Sequence, residues 1–194
     1  VGVCTARPVG WSRSYSVWER VLGETIKRSE TASDEVWNAL LDDLERVWAN
    51  PPEPTKALEP WSSPDAEVLE KPSVIAALTH QEREDIKRII TTPREVQHPA
   101  FIHGDAFSEN VMVHNGAYSA LIDWGWSGWH PLEHEFAMLQ QRAHELALGR
   151  YAARLDLPLL SAIRLNIGLV VASYGLIDWT IVRQGLHEAL EYGA

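Results

Sequence analysis

A carboxylate, an amide and a second carboxylate stand in fixed order in the middle of this chain: Asp105, Asn110 and Asp123. The first two lie in Phe101-Ile102-His103-Gly104-Asp105-Ala106-Phe107-Ser108-Glu109-Asn110-Val111-Met112-Val113, and Leu121-Ile122-Asp123-Trp124-Gly125 follows. Asp105 is reached through Gly104, in a loop whose backbone can turn sharply. Asn110 starts one strand-like run and Asp123 ends the next, with Asn115-Gly116 between them as a tight-hairpin signal. A hairpin returns its second strand beside its first, so Asn110 and Asp123 can be close across the ladder. A carboxylate and an amide oxygen at the mouth of an apolar hairpin make a hard-oxygen site. Mg²⁺ suits such a site, because it takes few protein ligands and completes its shell with water and phosphate. Asp105 is then free to face a substrate hydroxyl. Phosphoryl transfer needs these parts: metal to neutralise phosphates and a carboxylate to orient the nucleophile.

The order matches the catalytic loop and metal motif of protein kinases, and a narrower match follows. His103-Gly104-Asp105 with Asn110 resembles the H-G-D-x-x-x-x-N loop of the aminoglycoside phosphotransferase and choline kinase families. Ile122-Asp123-Trp124-Gly125 resembles their I-D-[WFY]-G motif. Gly128-Trp129-His130-Pro131 followed by Glu135-Phe136-Ala137 is similar to their G-x-x-x-P…D-L-A stretch, with Glu for Asp and Phe for Leu. Gly10-Trp11-Ser12 with Tyr15 is similar to the segment after the hinge in some members.

The resemblance implies an α+β, mostly helical fold: a protein-kinase-like C-terminal lobe over residues 1–194, with a short central catalytic β-hairpin in a block at 100–137. It implies Mg²⁺-dependent transfer of the γ-phosphoryl group of ATP or GTP to a hydroxyl of a small molecule. Aminoglycosides, macrolides, choline, sugars and amino alcohols are the candidate substrates, as in antibiotic-resistance kinases. By the same resemblance Asp105 is the catalytic base or hydroxyl-orienting carboxylate, and His103 braces its loop. Gly104 permits the turn, Asn110 and Asp123 hold Mg²⁺ and its nucleotide, and Glu135 takes the place of an Asp that supports the catalytic loop.

The elements around this block read as helical. Val17, Val21, Leu22 and Ile26 have helical spacing and predict a helix from Ser14 to about Ser29, after an irregular stretch at 1–13. Ser33 is a good N-cap, with Asp34 and Glu35 at the positive end of a helix whose apolar face is Val36, Leu40, Leu44 and Val47. Pro51, Pro52 and Pro54 stop it and open a proline-rich loop. Thr79 and Glu82 have capping-box spacing and start a helix to about Ile90. Ala100–His103, Val111–His114 and Tyr118–Asp123 are the strand-like runs. After Pro131 one helix runs to about Leu148, and a long apolar one starts near Pro158. The apolar stretch from Ile167 to Ile177 is too short to span a bilayer and reads as a core helix.

Composition bounds the rest. With 17 Lys and Arg against 27 Asp and Glu, the net charge is −10. That excludes a nucleic-acid partner, which requires a basic surface, and it is compatible with a cationic substrate. Cys4 is the lone cysteine, so neither an internal disulfide nor a cysteine metal site is expected. No signal peptide or membrane span is visible, which gives a cytoplasmic expectation. No Gly-rich loop follows a strand before residue 100, and Lys27, Lys56, Lys71 and Lys87 lie in helix or loop contexts. Together with the Val start, this leads to the expectation that the nucleotide-clamping N-terminal lobe is absent. The chain would then be a fragment or half-kinase whose partner is that lobe. Two rival readings remain. One is a non-catalytic kinase-like lobe acting as a binding module. The other is a zinc hydrolase, since His130-Pro131-Leu132-Glu133-His134 fits H-x-x-E-H, although Pro131 places His130 at a helix cap. His80, His98, His114, His144 and His187 read as surface or loop residues. Asp42, Asp43, Glu45 and Glu145 read as solvated helix faces.

Overall fold

The computed structural model describes residues 21–27, 30, 32–51, 59–63 and 65–194, and the backbone alone at 8–11 and 16–18. Ser12, Tyr15, Cys4 and Lys56 lie outside the described residues. In chain order come strands β1 (Pro8–Trp11), β2 (Ser16–Trp18) and β3 (Glu24–Thr25), then helices α1 (Asp34–Ala49), α2 (Pro72–Ala77) and α3 (His80–Thr91). Strands β4 (Pro99–Ile102), β5 (Val111–His114), β6 (Ala117–Leu121) and β7 (Gly128–Pro131) follow. Helices α4 (Leu132–Met138), α5 (Gln141–Tyr151), α6 (Leu157–Ser173) and α7 (Trp179–Glu191) complete the chain. The fold is mostly helical, with three small sheets: β1-β2, β3-β5-β6 and β4-β7. None of the helices described is long and apolar enough to cross a membrane.

The expected helix at Ser14–Ser29 is corrected: the described part of that stretch holds β2 and β3. Gly23 sits at φ 125°, a conformation open in practice only to glycine, and an added Cβ there would stand 2.4 Å from the Val113 carbonyl oxygen. The backbone thus passes hard against β5, and Glu24 and Thr25 pair with Val113 and Met112. Sheet pairing overrides the helical spacing of the apolar residues. Pro8–Trp11, expected to be irregular, is likewise a strand. The strand-like run at 100–103 does not join the hairpin; it pairs with β7, which the sequence reading passed over. The helix expected from Pro131 to Leu148 is two helices, α4 and α5, interrupted at Leu139-Gln140.

Other boundaries fall where capping chemistry puts them. Thr79 Oγ1 accepts from the Glu82 N–H at 3.2 Å, and Glu82 accepts from the Thr79 N–H at 2.7 Å, a complete capping box at the head of α3. Asp156 caps α6 by accepting from the Leu159 N–H at 3.0 Å. Asn115 and Gly116 both take positive φ, 51° and 78°, in the turn between β5 and β6.

The chain forms two compact units. The first comprises Val1–Thr55, Ala100–His130 and Met138–Tyr151. In it α1 packs on β6 and α5, with Trp37, Leu40, Leu41 and Leu44 fully buried. Arg142 on α5 binds Asp34, and Arg150 binds Asp42 and Asn38, tying the two helices at their surface. The second unit comprises Lys56–Pro99, Pro131–Ala137 and Ala152–Ala194. Its core is built from Val74, Ile86, Ile89 and Ile90 against Leu165, Leu169, Val182 and Ala189.

Candidate active site

The first unit brings Asp105, Asn110 and the strand end before Asp123 together through main-chain geometry. Val111 pairs with Leu121, so Asn110 and Ile122 face each other at the open end of the hairpin. The Ile122 N–H donates to the Asn110 carbonyl at 3.0 Å. Asn110 closes a 3₁₀ turn over Ser108–Asn110, where its N–H donates to the Phe107 carbonyl at 2.9 Å. Its side-chain nitrogen donates twice to Asp105, to the main-chain oxygen at 2.8 Å and to Oδ2 at 2.9 Å. These two bonds join Asp105 to Asn110 directly. Among the described residues no donor reaches Asp105 Oδ1 or Asn110 Oδ1.

His103 is fully buried. Its Nε2 lies 2.9 Å from the Ile122 carbonyl, and its Nδ1 3.2 Å from the Asp105 N–H. A carbonyl only accepts and an N–H only donates, so the ring is the neutral Nε2–H tautomer. Burial pushes its pKa down to about 4, against smaller opposing effects of the Ile122 carbonyl and the Asp123 charge. The neutral ring thus links the Asp105 main chain to the end of β6. Trp124 holds the ring from the other side: its indole meets the imidazole edge-on at 4.6 Å, and its Nε1–H donates to the Leu121 carbonyl at 3.1 Å. Gly104 sits at φ 80°, and an added Cβ would stand 2.5 Å from the Trp126 carbonyl oxygen, so only glycine fits there.

Asp123 adopts the left-handed conformation, φ 61° and ψ 67°, one of two such non-glycine residues described. Such backbone is costly for most side chains, though Asp tolerates it. Here it turns the chain out of β6 at the motif itself. The residue is exposed, and among the described residues its carboxylate accepts no hydrogen bond. Asp105 is half-buried. Desolvation raises its pKa, the Asn110 hydrogen bond opposes that, and the negative charges of Asp123 and Glu109 raise it further.

Glu135 is fully buried on α4. No group of three His, Cys, Asp or Glu side chains among the described residues is placed to hold a metal, so the zinc reading of His130, Glu133 and His134 finds no cluster. Glu133 is instead a fully buried carboxyl whose Oε1 accepts from the Asp156 N–H at 2.9 Å. Two further readings are corrected. Asp43 is fully buried, not a solvated face, and accepts from Tyr118 Oη at 2.9 Å. His144 is buried on α5.

No curated protein matches the sequence significantly. Among solved structures, aminoglycoside phosphotransferase APH(4)-Ia is similar in fold: TM-score 0.58 and 16% identity, covering 100% of this chain and 79% of that one. A thermostable mutant of that enzyme, in ternary complex with AMP-PNP and hygromycin B, gives TM-score 0.57 and 18% identity over 97% and 77% of the two chains. The gentamicin complex of APH(2")-IIa gives 0.56 and 16% over 96% and 74%. The model of the phosphotransferase enzyme family matches residues 1–164. With its mostly helical kinase-like fold and a family match over most of its length, the chain belongs to the phosphotransferase enzyme family.

Proposed function

We propose that this protein transfers the γ-phosphoryl group of ATP or GTP, with Mg²⁺, to a hydroxyl of a small cationic molecule, and that residues 100–137 carry the chemistry. One observation carries the reading. Asn110 spends both amide hydrogens on Asp105 and leaves its side-chain oxygen without a donor among the described residues, while its main chain pairs with Ile122, the residue before the exposed Asp123. An amide oxygen and a carboxylate oxygen without protein donors are the hard ligands that Mg²⁺ takes, so these residues fit the ion. Bound there, Mg²⁺ would neutralise phosphate charge.

The protein's own residues supply position and a proton acceptor. Asn110 fixes one oxygen of Asp105, so Oδ1 is the one that accepts the hydrogen bond of the substrate hydroxyl. As the new O–P bond forms and the bond from the γ-phosphorus to the β–γ bridging oxygen breaks, releasing the nucleoside diphosphate, that Asp105 oxygen takes the hydroxyl proton. Burial and the neighbouring carboxylates make Asp105 more basic than an ordinary carboxylate, which favours this role. His103 and Gly104 hold the loop. The net charge of −10 and solved neighbours in complex with gentamicin and with streptomycin and ATP support the cationic substrate.

Calorimetric titration with ATP and with GTP, with and without Mg²⁺, tests the reading. Binding should require Mg²⁺ and be lost in Asp123→Asn. Asp105→Asn should keep binding and lose transfer by about 10²–10⁴-fold. Equal Mg²⁺-nucleotide affinity in wild type and Asp123→Asn would overturn the metal assignment.

A further inference from the structure

Trp126 is the most exposed of the large apolar side chains described, with 73% of its surface open. It shares a 3₁₀ turn, Trp124–Trp126, with the inward-facing indole of Trp124. Ser127 closes that turn, with its N–H and Oγ both donating to the Trp124 carbonyl at 3.1 and 2.8 Å. Trp124 has a structural task, since it touches His103 and donates to Leu121. Trp126 has no ring, cation or hydrogen-bond partner among the described residues. Its root is nevertheless fixed. A Cβ built on Gly104 would lie 2.5 Å from the Trp126 carbonyl oxygen and 3.6 Å from its Cβ. Gly104 immediately precedes Asp105, so the indole springs from backbone packed against the loop that presents the proposed base.

An indole offers a flat apolar surface with a negative face. It attracts saturated C–H surfaces and, more strongly, cationic nitrogen. Asp123 and Glu109 each act electrostatically on Asp105, so negative charge gathers on the loop against which the Trp126 backbone is packed, and negative charge favours a cation. The nucleotide's phosphates belong with Asn110 and Asp123, and Asp105 belongs with the acceptor.

We propose that Trp126 is a specificity-determining residue of this site: its indole receives the ring of the acceptor alcohol and selects acceptors that carry a cationic nitrogen near the reacting hydroxyl. The inference rests on the phosphoryl-transfer reading above and adds to it the residue that recognises the acceptor.

The test uses the full chain and three probes, gentamicin, streptomycin and hygromycin B, each titrated calorimetrically against wild type, Trp126→Ala and Trp126→Phe. Mg²⁺·ATP is titrated in parallel, and melting temperatures check folding. For any probe that wild type binds, Trp126→Ala should weaken affinity about 5- to 30-fold, about 1–2 kcal/mol at 1.4 kcal/mol per tenfold. Trp126→Phe should restore most of it, because a ring remains. Unchanged affinity in Trp126→Ala overturns the proposal. So does a loss confined to Mg²⁺·ATP, which would seat the nucleotide on the indole. Failure of wild type to bind any of the three probes overturns it as well. Binding of Mg²⁺·ATP or, titrated likewise, Mg²⁺·GTP by wild type separates the two levels: present for either, it leaves the phosphoryl-transfer reading standing while the Trp126 role falls; absent for both, that reading falls too.

Discussion

Asn110 holds Asp105 twice through one amide nitrogen, at the main-chain oxygen and at Oδ2. The same residue accepts the Ile122 N–H through its carbonyl, and Ile122 in turn accepts from His103, whose ring receives the Asp105 N–H. Loop and hairpin end are thereby closed into one hydrogen-bonded circuit with Asp105 at one side and Asp123 just beyond the other. A shift in any member moves both carboxylates. Asn110→Ala removes two of these bonds and the proposed metal ligand together. Transfer should fall about 10²–10³-fold in kcat/KM, and more Mg²⁺ should be needed for half-maximal rate. Asn110→Asp restores an oxygen but adds a further negative charge and deletes the donor, so it should not rescue. Steady-state kinetics across a Mg²⁺ series reads both effects. A rate for Asn110→Ala within about threefold of wild type at every Mg²⁺ concentration would break the link between the circuit and catalysis.

His103 predicts an acid-sensitive fold. Its folded pKa is about 4 against an ordinary 6.5, because burial disfavours the imidazolium. Between those values the unfolded chain binds a proton that the folded chain refuses. Stability is therefore fully present above about pH 6.5 and falls as pH drops toward 4. A shift of that size corresponds to about 3 kcal/mol lost across the window. His103→Gln keeps a side-chain amide able to donate to the Ile122 carbonyl without titrating. It should lower stability at pH 7.5 yet flatten the pH dependence between 6.5 and 4. Denaturant melts at several pH values decide the matter, and an equally steep decline in His103→Gln would exclude the histidine as its source.

The family and the mostly helical fold were legible in the sequence because their signals sit in local, contiguous motifs. The Asn115-Gly116 turn, the Thr79–Glu82 box and the Ser33 boundary each follow from residues within a few positions of one another, and each appears where expected. Long-range partners were not legible. Nothing local says that β4 pairs with β7 rather than with the hairpin, or that Glu24 and Thr25 form an edge strand against β5. The apolar spacing at Val17, Val21 and Ile26 pointed to a helix, and only Gly23 hinted otherwise. Asp43 looked solvated because Asp42 and Glu45 flank it on a polar stretch; its burial depends on Tyr118, seventy-five residues away. The same limit hid the two hydrogen bonds from Asn110 to Asp105, since spacing shows which residues can meet and not which donor finds which acceptor.

The Asp43–Tyr118 bond gives the hairpin its seat on α1. Asp43 is fully buried on that helix. It accepts from Tyr118 Oη at 2.9 Å and from Arg46 at 2.5 Å. Tyr118 lies where the β5–β6 pairing slips by one residue: Met112 faces Ala120 while Val113 faces Tyr118, which leaves Ser119 unpaired. Ser119 in turn donates to the Leu22 carbonyl at 2.8 Å. The bulge thus aims Tyr118 at α1, and the bond fixes how the hairpin meets the helix. Tyr118→Phe leaves a buried carboxylate short of one donor and should cost about 1–3 kcal/mol. Asp43→Ala also strips Arg46 of its partner and opens a small void, and should cost about 3–5 kcal/mol. If the two side chains act as a pair, the double variant should cost about 1–3 kcal/mol less than the sum of the singles. Urea denaturation of the four proteins measures that difference directly. Strict additivity would mean that Asp43 is held by Arg46 and the helix alone, and that the hairpin takes its position from strand pairing.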